Sequence, residues 1–575
     1  MYKQKLTASM AGVMAAALLG GCGGTTADQA APQKNTLLAT TVAVTSSFGL
    51  TQDDTYFTID TGAGLVFKVR RVDYGSNTQS PGDIASMIYN GVQYQDASRG
   101  TQVNSGFDWL YKATSAVTVN AETVGTDYIK VTVVSGNLTH YYMVKRGVNN
   151  IYMGTYFTSE PDTLGLARFI VRIPIASLPN GPAPSDLRGT TRTVESGDIF
   201  GMPNGETRSK HYSNMRLKDW QYIGATSPTA GVWIVRDNNE GNSGGPFYRS
   251  LLNQGTSTNQ ELTYIMNYGE IQTEAFRFGV LNSYTMVFND GSKPGPVDTS
   301  FFADMNLLGY LPDSARGIVA GAGITGRMAG VPYTVGFANA QAQYWTDADP
   351  VDGHFQTGAM RPGTYTMTVY KNELPVATRS VTVGAGATSN VDSVAITADP
   401  EAIPSVWRIG TWDGSPAELL NGDKVTYMHP SDVRMSSWVA PDYDVATSTA
   451  ATGFPAYQWK DVNNTRVIKF NLRKSQIGNY QLRVGTTIAF SGARPRAQVN
   501  GWLSAIPAAP NEPKTRSLTV GSYRGNNNLY TYNIPASELV VGQNTVTLVA
   551  VSGSGGSGFL SPGYSYDAVD LIKLP

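Results

Sequence analysis

Tyr141-Tyr-Met-Val-Lys145, Arg146-Gly-Val-Asn-Asn150 and Ile151-Tyr-Met-Gly-Thr-Tyr156 follow one another without a break. Two segments rich in aromatic and apolar residues flank a short Gly/Asn stretch, the pattern of two strands joined by a hairpin turn. Upstream, Val66-Phe-Lys-Val-Arg70 and Tyr128-Ile-Lys-Val-Thr-Val133 alternate with the period of two that sends successive side chains to opposite faces of a sheet. Downstream, Tyr284-Thr-Met-Val-Phe288 runs into Asn289-Asp-Gly291 and repeats the strand-then-turn pattern. Convincing amphipathic helices are absent. The expectation is an all-β chain whose first block, residues 42–312, is a large antiparallel β-sandwich.

Composition agrees with this and bounds the rest. Charged residues are 15% while aromatics reach 10%, and 61 Gly and 30 Pro punctuate the chain. That mixture favours short strands and many turns in an exported protein. The 575 residues exceed one hydrophobic core and imply about three domains. A second block, 313–397, contains Arg316-Gly-Ile-Val-Ala-Gly321, the turn Arg361-Pro-Gly363 and the strand Thr364-Tyr-Thr-Met-Thr-Val-Tyr370. Its size suits a small immunoglobulin-like or fibronectin type III-like sandwich. Residues 398–404 read as a linker. The third block, 405–575, carries Val467-Ile-Lys-Phe-Asn-Leu472, Tyr480-Gln-Leu-Arg-Val484 and Thr545-Val-Thr-Leu-Val-Ala-Val551, and suits a C-terminal jelly roll. With 43 basic against 44 acidic residues there is no cationic excess to hold nucleic acid by counterion release. A polyanionic substrate would have to be met by a local cluster.

The N-terminus reads as a processing signal. Lys3 and Lys5 precede an apolar stretch from Leu6 to Leu19, too short to span a bilayer, that ends in Leu19-Gly-Gly-Cys22. This has the form of a lipobox, so 1–22 is expected to be a lipoprotein signal, with Cys22 diacylated and 23–41 a flexible tether. The alternative is a soluble secreted protein cut nearby. Cys22 is the only cysteine, which excludes an intrachain disulfide. No stretch beyond the tether reaches the length of a membrane helix, so membrane attachment is expected through the lipid alone, at the cell envelope, with the outer membrane as the expected site.

Several motifs carry candidate chemistry: Gly205-Glu-Thr-Arg-Ser-Lys-His-Tyr-Ser213, Gly241-Asn-Ser-Gly-Gly-Pro-Phe-Tyr248, Asn267-Tyr-Gly-Glu-Ile-Gln-Thr-Glu274, Trp407-Arg-Ile-Gly-Thr-Trp-Asp-Gly414 and His429-Pro-Ser-Asp-Val-Arg-Met-Ser-Ser-Trp438. With Ser159-Glu-Pro161, Arg168-Phe-Ile170, Asp298-Thr-Ser-Phe-Phe-Ala-Asp304 and Ala342-Gln-Tyr-Trp345, they occur in an order that resembles the rhamnogalacturonan lyases of polysaccharide lyase family four across all three blocks. The resemblance implies a catalytic β-sandwich, a fibronectin type III-like module and a carbohydrate-binding-type jelly roll. It also implies β-elimination across C4 and C5 of a galacturonate in rhamnogalacturonan I, leaving an unsaturated uronate, by an enzyme expected to act as a monomer.

That reaction needs a base for the C5 proton, a cation for the carboxylate and an acid for the leaving oxygen. Lys210 matches the family's catalytic lysine, assigned as the base. An ammonium cannot accept a proton, so burial or a neighbouring cation would have to favour the neutral amine. Arg208 shares a face with Lys210 if the segment is extended and could supply both that effect and anion binding. Arg168 sits where the family places an arginine that binds substrate carboxylate, a use that suits a guanidinium fork. The plainer readings are a solvated Arg–Lys pair on a loop and a salt bridge from Arg168 to Glu160.

The second catalytic residue is where the chain departs from the family. A histidine is expected within Gly-His-x-Gln-Thr-Glu, and this chain has Glu270 in Gly269-Glu-Ile-Gln-Thr-Glu274. Either Glu270 is a protonated acid, or His211 has taken the role, or activity or substrate has changed. Adjacency in an extended strand would point His211 away from Lys210. Glu274 could order Lys210 or a sugar hydroxyl. Two other classes stay open: a non-catalytic pectin-binding lipoprotein, and a glycoside hydrolase using Glu270 and Glu274. Gly241 to Pro246 looks like a serine-protease nucleophile loop around Ser243. However, none of the four histidines sits in that family's setting, and Asn242 replaces its Asp.

No paired-histidine, multiple-cysteine or Asp-x-Asp metal motif occurs, and a lysine base needs no cofactor. A structural calcium in the C-terminal block could use Asp567 or Asp570. Trp407, Trp412, Trp438 and Trp502 could stack on sugars, but such residues are more often packing, and the segments around Trp412 and His429 could instead face the catalytic block.

Overall fold

The computed structural model describes residues 47–72, 79–105, 116–159, 167–195, 197–212, 216–248, 253–267, 274–424, 428–513, 517–552 and 562–575. Cys22, the tether, Glu160 and Glu270 lie outside the described residues. Among the described residues strands dominate, and Ala450–Gly453 is the one α-helix. No described helix is long and apolar enough to cross a membrane.

The hairpin read from the sequence forms between Leu138–Lys145 and Asn150–Phe157, with Tyr152 opposite Met143 and Thr155 opposite His140. It lies inside a seven-stranded sheet ordered Tyr222–Thr226, Gly231–Arg236, Asn282–Asn289, Asn150–Phe157, Leu138–Lys145, Tyr128–Ser135, Val117–Val124. Tyr128–Ser135 alternates buried and half-buried positions as its sequence period requires. Leu138–Lys145 is buried on both faces, which periodicity alone did not reveal. One face, with Leu138, Tyr142 and Val144, joins the main core. Tyr141 and Met143 on the other are covered by Phe301, Phe302, Met305 and Leu307. The motif at 298–304 is therefore a lid on the sheet, with Phe301 stacked on Tyr128 at 4.9 Å between ring centroids.

Opposite the large sheet, a five-stranded sheet runs His211–Tyr212, Asn253–Gly255, Asn259–Asn267, Ala167–Pro174, Gln102–Ser105. Phe169, Val171, Leu262, Tyr264 and Met266 point from it into the core. A three-stranded sheet of Arg192–Glu195, Ile199–Gly201 and Thr207–Ser209 adjoins it. The second block packs Tyr333–Ala338, Gly363–Lys371 and Leu374–Val383 around a separate core containing Val335, Phe337 and Met367. The third is a pair of five-stranded sheets enclosing Trp407, Trp438, Tyr480, Val484 and Tyr566.

Trp407, Trp412 and Trp438 are buried, so they pack the third block and are unavailable as sugar platforms. Charged clusters join the blocks. Glu240 of the first is buried between Arg316 and Arg361 of the second, with Arg361 Nε 2.6 Å from Glu240 Oε2. Lys371 of the second meets Asp399 and Glu401 at 2.9 and 2.8 Å.

Candidate active site

The turn Met202-Pro-Asn-Gly205 joins the strands Ile199–Gly201 and Thr207–Ser209. Gly205 adopts φ +89°, a left-handed conformation that suits glycine. The register pairs Ile199 with Ser209 and Phe200 with Arg208. One residue further, the Lys210 amide donates to the Asp198 carbonyl at 3.0 Å, so Asp198 stands across from Lys210. Thr207 and Ser209 are buried, while Arg208 and Lys210 share the more open face, as an extended segment demands.

Lys210 is also the joint between two sheets. Its carbonyl accepts from Gly255 N at 2.9 Å, and the next residue, His211, pairs with Gln254 in the five-stranded sheet. The chain bends there, and the alternation expected of a continuous strand is lost. Lys210 Nζ lies 2.7 Å and His211 Nε2 3.6 Å from the same Asp198 Oδ1, with the three side chains about a fifth exposed. The expectation that His211 points away from Lys210 is therefore corrected. Burial alone would raise the Asp198 carboxyl, but hydrogen bonds from His211 and Lys210 outweigh it and hold the group well below the usual carboxylate range. The charge touching Lys210 is thus this carboxylate. Arg208, expected to act on the lysine, pairs with Glu206 at 3.1 Å.

Asp198 escaped the sequence reading because its role depends on register. The available signal was Pro203-Asn-Gly205 between two short β segments, a three-residue turn closed by Met202 and Glu206, from which the 198/210 pairing follows by counting.

The five-stranded sheet extends the site. His211 opposes Gln254, Gln254 opposes Glu261 and Glu261 opposes Arg172, so these four share the sheet face turned from the core. Arg172 Nε meets Glu261 Oε1 at 3.2 Å. Arg168 lies on that same face, three strands from His211, buried and opposite Ile265. Arg168 and His211 thus lie on the same sheet face, three strands apart and four residues apart along the strand direction.

Glu274 belongs to a different support. Its carboxylate holds Arg277 Nη2 at 2.6 Å and accepts from Gly244 N at 3.1 Å. It fixes the glycine-rich loop. In that loop Asn242 Nδ2 donates to Ile265 O at 2.6 Å, beside Arg168, and Ser243 Oγ donates to Ala275 O at 3.3 Å. Gly245 N donates to Gln343 Oε1 of the second block at 3.0 Å. These bonds give the loop a structural role in place of the nucleophile its sequence imitates. From the third block, His429–Trp438 reaches the Lys210 hairpin: Thr207 N donates to Asp432 Oδ2 at 2.6 Å.

Of the two acids considered for a calcium ion, Asp570 is committed to cations of the fold. Asp570 is taken up by Arg483 Nη2 at 2.6 Å, Arg408 Nε at 3.1 Å and Trp412 Nε1 at 3.0 Å. Asp567 accepts from Gly414 N at 2.8 Å, and burial, with Asp413 nearby, raises its carboxyl well above the usual range. No group of three or more His, Cys, Asp or Glu among the described residues could hold a metal.

Comparison with known proteins covers nearly the whole chain. Residues 48–309 match the family described as Rhamnogalacturonan lyase B, N-terminal; 317–391 match Polysaccharide lyase family 4, domain II; and 405–571 match Polysaccharide lyase family 4, domain III. The chain is 39% identical over 533 residues to Rhamnogalacturonate lyase A of Aspergillus aculeatus, covering 92% of this chain and 97% of that protein. It is 38% identical over 533 residues to Rhamnogalacturonate lyase A of Emericella nidulans, covering 92% and 96%.

Proposed function

The chain belongs to polysaccharide lyase family 4, and from that premise we propose how it cleaves the rhamnogalacturonan backbone as a lyase. The observation that carries the reading is the convergence of Lys210 and His211 on one carboxylate oxygen of Asp198. A lysine base must first shed its extra proton. The Asp198 carboxylate opposes this by favouring the ammonium, so the proton has to pass to the imidazole that the same carboxylate holds, a natural proton acceptor near neutral pH. Neutral Lys210 then takes the C5 proton of galacturonate. The C5–H electrons form the C4=C5 bond, the C4–O4 bond breaks, and the imidazolium returns a proton to O4. One proton has moved from C5 to O4, and an unsaturated uronate remains. Arg208, on the Lys210 face of its strand, and Arg168, on the His211 face of its sheet, supply positive charge for the uronate carboxylate.

The substrate is rhamnogalacturonan I or its oligosaccharides, and the enzyme acts as a monomer. Export with a lipid on Cys22 fits the N-terminal pattern, and incorporation of labelled fatty acid that is lost in Cys22→Ser tests it.

The activity test follows ultraviolet absorbance of the unsaturated uronate on rhamnogalacturonan I, with polygalacturonan in parallel. Absorbance should rise on rhamnogalacturonan only, vanish in Lys210→Ala and fall strongly in His211→Ala. Retained activity in His211→Ala with loss in Glu270→Gln would transfer the acid role to Glu270. Chain cleavage without the chromophore would overturn the elimination.

A further inference from the structure

Thr207 begins the strand that carries Arg208 and Lys210, and every polar group it has is held by the C-terminal block. Its amide and its hydroxyl both donate to Asp432 Oδ2, at 2.6 and 2.9 Å. Its hydroxyl oxygen accepts from His429 N at 3.0 Å, and its carbonyl accepts from Arg434 Nη2 at 3.3 Å. Thr207 is fully buried and Asp432 3% exposed, so no water competes for these bonds. The preceding turn is held too: Val433 N donates to Gly205 O at 3.3 Å, and a Cβ on Gly205 would lie 2.5 Å from Val433 Cγ1. Arg434 bonds Asp432 through Nη2 at 2.7 Å and approaches Glu206, the partner of Arg208, at 3.9 Å. On the far strand of the same three-stranded sheet Glu195 Oε2 lies 3.7 Å from His429 Nε2.

We infer that the segment His429–Arg434 of the C-terminal block is a working part of the catalytic centre, and that Asp432 is a positioning residue that fixes the strand bearing Lys210. The physical reason lies in the hairpin itself. Ile199–Gly201 and Thr207–Ser209 are three residues each, and so short a pair is not stable alone. Lys210 sits at a bend between two sheets, its amide bonded to Asp198 of one and its carbonyl to Gly255 of the other, so the direction of its side chain depends on how the hairpin is held against the five-stranded sheet. A buried charged acceptor gripping the strand three residues away sets that direction, because charge-assisted bonds are short and strongly oriented. The Asp432 carboxyl has the charge this requires: burial would raise it, but the bonds from Arg434 and Thr207 leave it below its ordinary value. The C-terminal block, with its buried tryptophans, thereby acts on catalysis through the hairpin, without needing a sugar platform of its own.

This inference rests on Lys210 as the base, and its test separates the two. Wild type, Asp432→Ala, Thr207→Val and the double variant are compared by turnover on rhamnogalacturonan I and by hydrogen exchange of the peptide spanning 199–212. Thr207→Val keeps shape and strand propensity while removing the hydroxyl, so it serves if Asp432→Ala folds poorly. The expected result is a kcat lowered by roughly 10- to 100-fold in each single variant, the scale of an ångström-level misplacement. KM should change less than about twofold, the double variant should be no worse than the poorer single one, and faster exchange should be confined to 199–212. Unchanged exchange in 199–212 for both single variants would overturn the inference even if turnover fell. So would a loss that appears in KM alone. Activity surviving in Lys210→Ala would instead overturn the base assignment, while the exchange result would still decide whether Asp432 holds the strand.

Discussion

Replacing Asp198 by Asn keeps the shape of the side chain and removes the charge that Lys210 and His211 share. At the observed 2.7 Å, a unit pair is worth about 6 kcal/mol at an effective dielectric of 20 and about 1.5 kcal/mol in bulk water. The groups are about a fifth exposed, and desolvation offsets part of the attraction, so the net loss should be about 2 kcal/mol. For a domain the size of the first block that corresponds to a fall in its melting temperature of about 4–8 °C at pH 7. The folded Asp198 carboxyl lies below its unfolded value, so its contribution is present above about pH 4 and is lost as pH falls further, toward the folded value. The melting difference between wild type and Asp198→Asn should therefore be full at pH 7 and shrink on acidification below pH ~4. Scanning calorimetry from pH 3 to 8 measures it, and kcat/KM should fall by about 10²-fold where both proteins are folded. A difference that stays constant or widens as pH falls would refute the assignment of the ion pair, and so would wild-type turnover in the variant.

Three further outcomes follow from buried groups. Glu240→Ala should cost about 3–5 kcal/mol, because it strands two largely buried guanidinium groups between the first and second blocks; urea unfolding would show it. Burial pushes the Asp237 carboxyl up to about 8, with hydrogen bonds from Thr285 opposing. A raised folded value makes stability fall as pH rises from about 4 through 8, so Asp237→Asn should gain on wild type across that window, and parallel melting curves would contradict this. Gly244 has φ +90°, and a Cβ there would lie 2.3 Å from the Tyr248 ring. Gly244→Ala should destabilise by about 1–3 kcal/mol and lower turnover, read by thermal shift and the chromophore assay together.

The sequence by itself determined the all-β class. Alternation at Tyr128–Ser135 and the Gly/Asn turn at 146–150 are local signals, decided within a few residues, and the observed hairpin follows them. It also carried the family, because ordered motifs survive in the chain whatever their packing. Lys210 stood out the same way. Tertiary structure decided what surrounds it. Asp198 is twelve residues away and reaches Lys210 only through a register set by the turn at Gly205. His211 joins them because the chain changes sheets at Lys210, a bend forced by Asn253–Gly255, some forty residues on. Glu274 and Arg208 found partners close by in the sequence, Arg277 and Glu206, which the motif reading passed over. The grip of Asp432 on Thr207 spans 225 positions. No local pattern encodes such a contact, because it exists only once two separate cores have formed and docked.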